Sequence, residues 1–242
     1  MKPSQKLLLA VLFAATACRP AVRPPAPAGP VAIQSEAQAA AIVAARDVDA
    51  RTLRATFKLV VHRADGSEEA TRGAVVVARP DRLRLQIFSF GVVTAYDYTA
   101  NGDRYRIREP LSGGQRIGRF SDVAADEREA LGDDLRPLFL SAVPSEAATV
   151  RDSGDRYLVT VQSSRGRRVA EVAKRSGAIV RETVFVRDVP ELVIDYGDFR
   201  EVDGVSMPFA VDVRVPGRRG ALSIVVTHYE RNVSVDGALF EF

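Results

Sequence analysis

The sequence has no tryptophan, one cysteine, two histidines and two methionines in 242 residues. A single cysteine excludes an internal disulfide framework and every multi-cysteine zinc or iron–sulfur centre. His62 and His228 fall in different strand-like runs with no i, i+4 repeat and no neighbouring ligand, so both read as solvated or hydrogen-bonded strand residues. No run of about 18 apolar residues occurs, which excludes a spanning helix. Charge of one sign is scarce in excess: 34 basic residues against 31 acidic ones leave +3. That surplus is too small to suggest nucleic-acid binding on electrostatics alone. Also missing are a GxSxG elbow, a phosphate-binding loop and an HExxH helix. Leu111-Ser112-Gly113-Gly114 is glycine-rich, but no lysine or helix start follows it, and Asp133-Asp134 reads better as a helix N-cap than as a catalytic carboxylate pair. No catalytic residue, metal or cofactor is expected.

What is present begins with an address. Met1 to Cys18 reads MKPSQKLLLAVLFAATAC, with Lys2 and Lys6 ahead of an apolar stretch from Leu7 to Ala15 and small residues leading to the cysteine. This is the pattern of a secretory signal. Ala15-Thr16-Ala17-Cys18 further resembles a bacterial lipobox. The resemblance implies cleavage before Cys18, which would then carry a thioether-linked diacylglycerol and an amide-linked acyl chain such as palmitate. Loss of Lys2 and Lys6 takes the formal charge from +3 to +1. Arg19 to Pro30, RPAVRPPAPAGP, favours extended polyproline II and gives a tether reaching roughly 40 Å. The expected organisation is a signal peptide over 1–17, a lipidated cysteine and proline-rich tether over 18–34, and one body over 35–242.

That body is expected to be mainly β. Ser35 with Gln38 has the spacing of a capping box, ahead of about four helical turns with Ile42 and Val43 on the buried side. Asp65-Gly66 and Asn101-Gly102 are hairpin signals. Leu83, Leu85 and Ile87 alternate with Arg82, Arg84 and Gln86, and Tyr105 and Ile107 alternate with Arg104, Arg106 and Arg108, so the sheet has a dry face and a wet one. Leu135, Leu138 and Phe139 have helical spacing behind Asp133-Asp134. About ten or eleven strands and two or three helices, without βαβ alternation, point to one curved antiparallel sheet with helices on one side.

The stretch DRLRLQIFSFGVVTAYDYTANGDRYRI, followed by GDDLRPLFLSAVP, resembles the LolA/LolB-like lipoprotein-localisation family, nearer its outer-membrane receptor branch, LolB. The run VDGVSMPFAVDV to YERNVSVDGALFEF is similar to that family's last strands. The resemblance implies a half-open β-barrel lidded by helices, whose apolar cavity takes acyl chains of lipoproteins or lipids. In such cavities tryptophan is common; here phenylalanine and tyrosine would stand in its place.

Carried over by position, Phe90 with Phe88 and Val92 would form the membrane-contact loop. Leu83, Leu85, Ile87, Tyr105 and Ile107 would line the cavity, and Leu135, Leu138 and Phe139 would lid it. The expected protein is an outer-membrane lipoprotein facing the periplasm, held by Cys18. It would bind lipoprotein or lipid acyl chains, assist their insertion into the membrane and meet a periplasmic carrier protein; nucleic acid is not an expected partner. The competing expectation is an envelope scaffold or sensor lipoprotein that binds a protein partner with the same body.

Overall fold

In the computed structural model the described residues are 31–89, 93–122, 148–163, 166–186, 188–217 and 220–242. The signal, Cys18 and the tether up to Pro30 therefore lie outside them, as do Phe90, Val92 and the segment carrying Leu135, Leu138 and Phe139.

Helix α1 (Glu36–Asp49) starts where its capping box requires: Ser35 Oγ accepts from the Gln38 backbone N–H, and the Gln38 side chain accepts from the Ser35 backbone N–H. Two meanders follow. The first contains β1 (Thr52–His62), β2 (Glu68–Ala78), β3 (Arg82–Ser89), β4 (Val93–Asn101), β5 (Arg104–Glu109) and β6 (Gly114–Arg119). The second contains β7 (Thr149–Ser153), β8 (Arg156–Ser163), β9 (Gly166–Ala173), β10 (Ile179–Val186), β11 (Val189–Val202), β12 (Val205–Arg214) and β13 (Ala221–Arg231). A 3-10 turn over Gly237–Phe240 precedes the C-terminus.

All thirteen strands belong to one antiparallel sheet, ordered β6-β5-β4-β3-β2-β1-β13-β12-β11-β10-β9-β8-β7. The first and last strands thus meet at its centre, and β6 and β7 are its edges. A sheet of more than about ten strands curls rather than staying open and flat. Register shifts at Thr56/Phe57, Ile87/Phe88, Ile179/Arg181 and Val184/Phe185 add local bends. The result is a curved, half-open β-barrel with α1 on its inner side. Asn232 locks the central seam: its Oδ1 accepts from the Arg51 N–H at 2.9 Å and its own N–H donates to the Thr52 carbonyl at 2.9 Å.

The strand count exceeds the expected ten or eleven because β6 and β7 carry almost no buried residue and so no alternation. The turn expected at Asn101-Gly102 sits one residue later, since Asn101 itself pairs with Arg104. Asp203-Gly204 is a two-residue turn with both residues at positive φ, 50° and 77°, matching the twist of β11 and β12. Among the described residues α1 is the one α-helix; the second expected helix falls on the segment outside them.

Candidate functional site: an apolar cavity

Two clusters of buried side chains build the inner face. One joins β1–β5 to β12 and β13 through Ala55, Phe57, Val75, Leu83, Leu85, Tyr98, Tyr105 and Ile107. The other is made where α1 lays Ala39 and Val43 on Tyr157, Val159 and Val161 of β8 and Ala170 and Val172 of β9. The clusters do not meet completely. Between them remains a cavity of about 400 Å³, within the range of roughly 300–1,000 Å³ typical of small-molecule sites.

The cavity wall comes from α1 through Ile42 and Ala45, from β1 through Leu53, Ala55 and Phe57, and from the β10–β13 side through Ile179, Ile194, Val211, Val213, Ile224 and Val226. One backbone feature shapes it. A Cβ on Gly73 would come within 2.5 Å of the Phe57 ring, so only glycine lets that ring lie against β2.

The wall is not wholly apolar. Glu182 of β10 is 1% exposed; its carboxylate accepts a hydrogen bond from Tyr196 Oη at 2.7 Å and faces the Arg168 guanidinium of β9 at 3.5 Å. Tyr229 donates to the Pro208 carbonyl at 2.8 Å, and burial pushes its hydroxyl well above the ordinary phenol range. Ser176, Ser206 and the arginines Arg79 and Arg231 complete the polar lining. Among the described residues this arrangement contains no nucleophile–base pair. A half-open, mainly apolar cavity of this kind can hold a hydrocarbon chain by displacing water from it.

The structure brings the sequence-expected residues to the same inner face but to a different place on it. Leu83, Leu85, Tyr105 and Ile107 are buried in the first cluster, with half-buried Ile87 packed against it. They stand beside Ala55, Phe57 and Val75, which do face the cavity, while the cavity wall as described includes none of the five. Tyr105 is closed off by the Phe120 ring at 5.0 Å and by Gly118, which its ring covers. Phe88 is half-buried and lies on the opposite, outer face, paired across from Arg72. Phe90, Val92, Leu135, Leu138, Phe139 and Cys18 lie outside the described residues.

His62 is tied down within the sheet, Nδ1 to Glu68 at 3.0 Å and Nε2 to Ser223 at 2.9 Å. Among the described residues no group of three or more His, Cys, Asp or Glu is placed to hold a metal ion, and no helix is long and apolar enough to cross a membrane. The Arg168–Glu182–Tyr196 group escaped the sequence reading. Its signal is an ionisable residue in the inward register of apolar strands: Arg168 shares its face with Ala170 and Val172.

The curled antiparallel sheet with a helix on its inner side is a fold that the chain shares with solved structures, a LolA superfamily protein among them. A LolA superfamily protein from Nitrosomonas europaea superposes with a TM-score of 0.63 at 8% identity, covering 86% of this chain and 98% of that one. A DUF1329 family protein from Desulfovibrio piger gives 0.61 at 16% identity, over 88% and 98%. A domain described as that of an outer membrane lipoprotein-sorting protein, from Vibrio parahaemolyticus, gives 0.58 at 10% identity, over 85% and 97%. No family profile and no curated protein matches the sequence. At these identities the likeness is one of fold.

Proposed function

We propose that this chain is a lipoprotein of the bacterial outer membrane, anchored through Cys18 and facing the periplasm, that takes acyl chains of lipoproteins or lipids into its cavity and assists their insertion into the membrane. The observation that carries this reading is the cavity of about 400 Å³ left between the two core clusters, with aliphatic side chains on most of its wall. Each methylene transferred from water to such a wall contributes about 0.8 kcal/mol without directional demands, so chains of different length should compete on nearly equal terms. The tether over 18–34 would let the body swing between a periplasmic carrier protein and the bilayer. Phe88, Phe90 and Val92 would enter the bilayer, and Leu135, Leu138 and Phe139 would cover the bound chain. The fold shared with a lipoprotein-sorting protein domain supports the reading.

The test is lipid occupancy. Native mass spectrometry of the purified full chain, with organic extraction, is expected to find co-purifying lipid, and the delipidated protein is expected to take up a fluorescent fatty acid. Ala55→Phe and Ile224→Phe, which fill the cavity from two different strands, should each reduce that uptake. Absence of both lipid and uptake in the folded wild-type chain would overturn the proposal.

A further inference from the structure

The strand registers place a set of arginines on the outer face of β3–β6, away from the cavity. Arg82, Asn101, Arg104 and Arg119 form one cross-strand row; Arg84, Thr99, Arg106 and Ile117 form the next; Gln86, Asp97, Arg108 and Gln115 the third. At about 4.8 Å between strands and 6.8 Å between alternate residues, these rows make a patch of roughly 14 Å by 14 Å. Asp97 is the only carboxylate within the rows. It is 4% exposed and spent on Arg84, whose Nε and Nη2 donate to it at 3.1 and 2.9 Å. The remaining guanidiniums have no carboxylate within ion-pair distance among the described residues.

What holds them is aromatic. The C-terminal segment crosses the same face, with the Phe240 ring 5.4 Å from Arg82 and the Phe242 ring 4.8 and 5.5 Å from Arg104 and Arg106. It also brings Glu241 beside Arg104, which together with Asp97 still leaves the arginines in excess. Burial, and then the like charges of Arg108 and Arg84, pull the Arg106 guanidinium below its ordinary value against the opposing pull of Asp97.

We propose that this outer face docks on the headgroups of an anionic lipid bilayer. Charge complementarity commits the patch to a polyanion, and its neighbourhood selects lipid. Phe88 lies on this same face, next along β3 after the third row, and Ile117 within the second row is 50% exposed. Cations beside an apolar margin are what an interfacial membrane site requires. A single-stranded nucleic acid would instead need open aromatic rings for base stacking, whereas Phe240 and Phe242 already carry arginines. The inference goes beyond cargo binding: it concerns the opposite side of the sheet and holds whether or not the cavity takes an acyl chain.

The test uses the full chain carrying Cys18→Ser, so that no acyl anchor contributes, with vesicles of phosphatidylcholine alone or mixed equally with phosphatidylglycerol. Cosedimentation is expected to favour the anionic vesicles and to weaken with salt. Arg104→Ser, Arg108→Ser and Arg119→Ser, all at exposed positions, combined in one variant, should lower that binding by at least about tenfold, on a scale of roughly fivefold per charge near an anionic surface. Arg200→Ser, at an exposed ion pair with Asp198, serves as the control and should leave binding unchanged. Residues 1–30 are identical in all variants, so any attachment through them cancels in the comparison. Binding of the triple variant equal to the parent, or retention on heparin or an acidic protein without vesicle binding, would overturn the proposal. Fatty-acid uptake by the same triple variant should match the parent, so the docking and cargo readings fail separately.

Discussion

The outer surface of the sheet is furnished twice with arginines, and the two halves treat them differently. On β8–β12 they are paired across strands: Arg156 of β8 meets Glu171 of β9 at 2.5 Å, and Arg181 of β10 and Arg214 of β12 converge on Asp195 of β11 between them. In the three outer-face rows of β3–β6, Arg84 alone has such a partner among the described residues. Cross-strand pairs of opposite charge favour the register that creates them, while like charges facing each other across strands disfavour it. The first half therefore forgoes a stabilising device that the second half uses, and carries self-repulsion instead. Charge that the fold itself neutralises contributes to the sheet; charge it leaves bare is available to a surface outside the molecule.

The largest effect is expected where pairing is carried inside. Glu182→Ala would remove the carboxylate that faces the buried Arg168 guanidinium and accepts from Tyr196, a loss on the order of 3–5 kcal/mol. Urea unfolding followed by circular dichroism measures it. The double change Arg168→Met with Glu182→Leu removes both charges and should recover most of that loss, because a buried pair adds little over well-packed apolar groups. If the double variant is as unstable as the single one, the polar group is holding the wall together by more than charge balance.

Removing the one carboxylate of the bare half comes next. Asp97→Asn takes away the charge and one of the two acceptors that Arg84 uses, and leaves the rows without any acid. A cost of about 2 kcal/mol is expected for bonds to a charged group. It should be larger at low ionic strength than at high, since salt screens the repulsion among Arg84, Arg106 and Arg108. Thermal melts across a salt series check this, and a salt-independent loss would show that the arginines do not repel one another appreciably.

These two halves were not equally legible in the sequence. Local rules carried far: Ser35 and Gln38 announce the start of α1, and the alternation around Leu83 and Tyr105 assigns inner and outer faces correctly. The edge strands β6 and β7 were missed because a strand with little to bury has no period to read. The position of the cavity along the inner face was illegible for a different reason. Alternation says which face a residue joins, whereas the gap depends on which strands α1 covers and on contacts such as the Phe57 ring over Gly73, set by pairing between strands. Charge pairing has the same character: Arg181 and Asp195 are fourteen positions apart, and only the β10–β11 register brings them together. The contrast between a paired and a bare outer face is a property of the folded sheet.

The smallest expected effect probes the paired half. Burial alone would raise the carboxyl of Asp195, but hydrogen bonds from Arg181 and Arg214 overcome it and hold the group below the ordinary range. A carboxylate whose folded value is depressed adds stability above its unfolded value, about 3.9. That contribution disappears as pH falls from there through the folded value. Asp195→Asn should therefore cost roughly 1 kcal/mol at neutral pH, as suits a partly exposed ion network, and nothing further in acid. Parent and variant melting temperatures should converge as the pH drops below 4. If the gap persists unchanged in acid, Asp195 acts through hydrogen bonds that survive protonation, and the charge ladder of the second half contributes less than its geometry indicates.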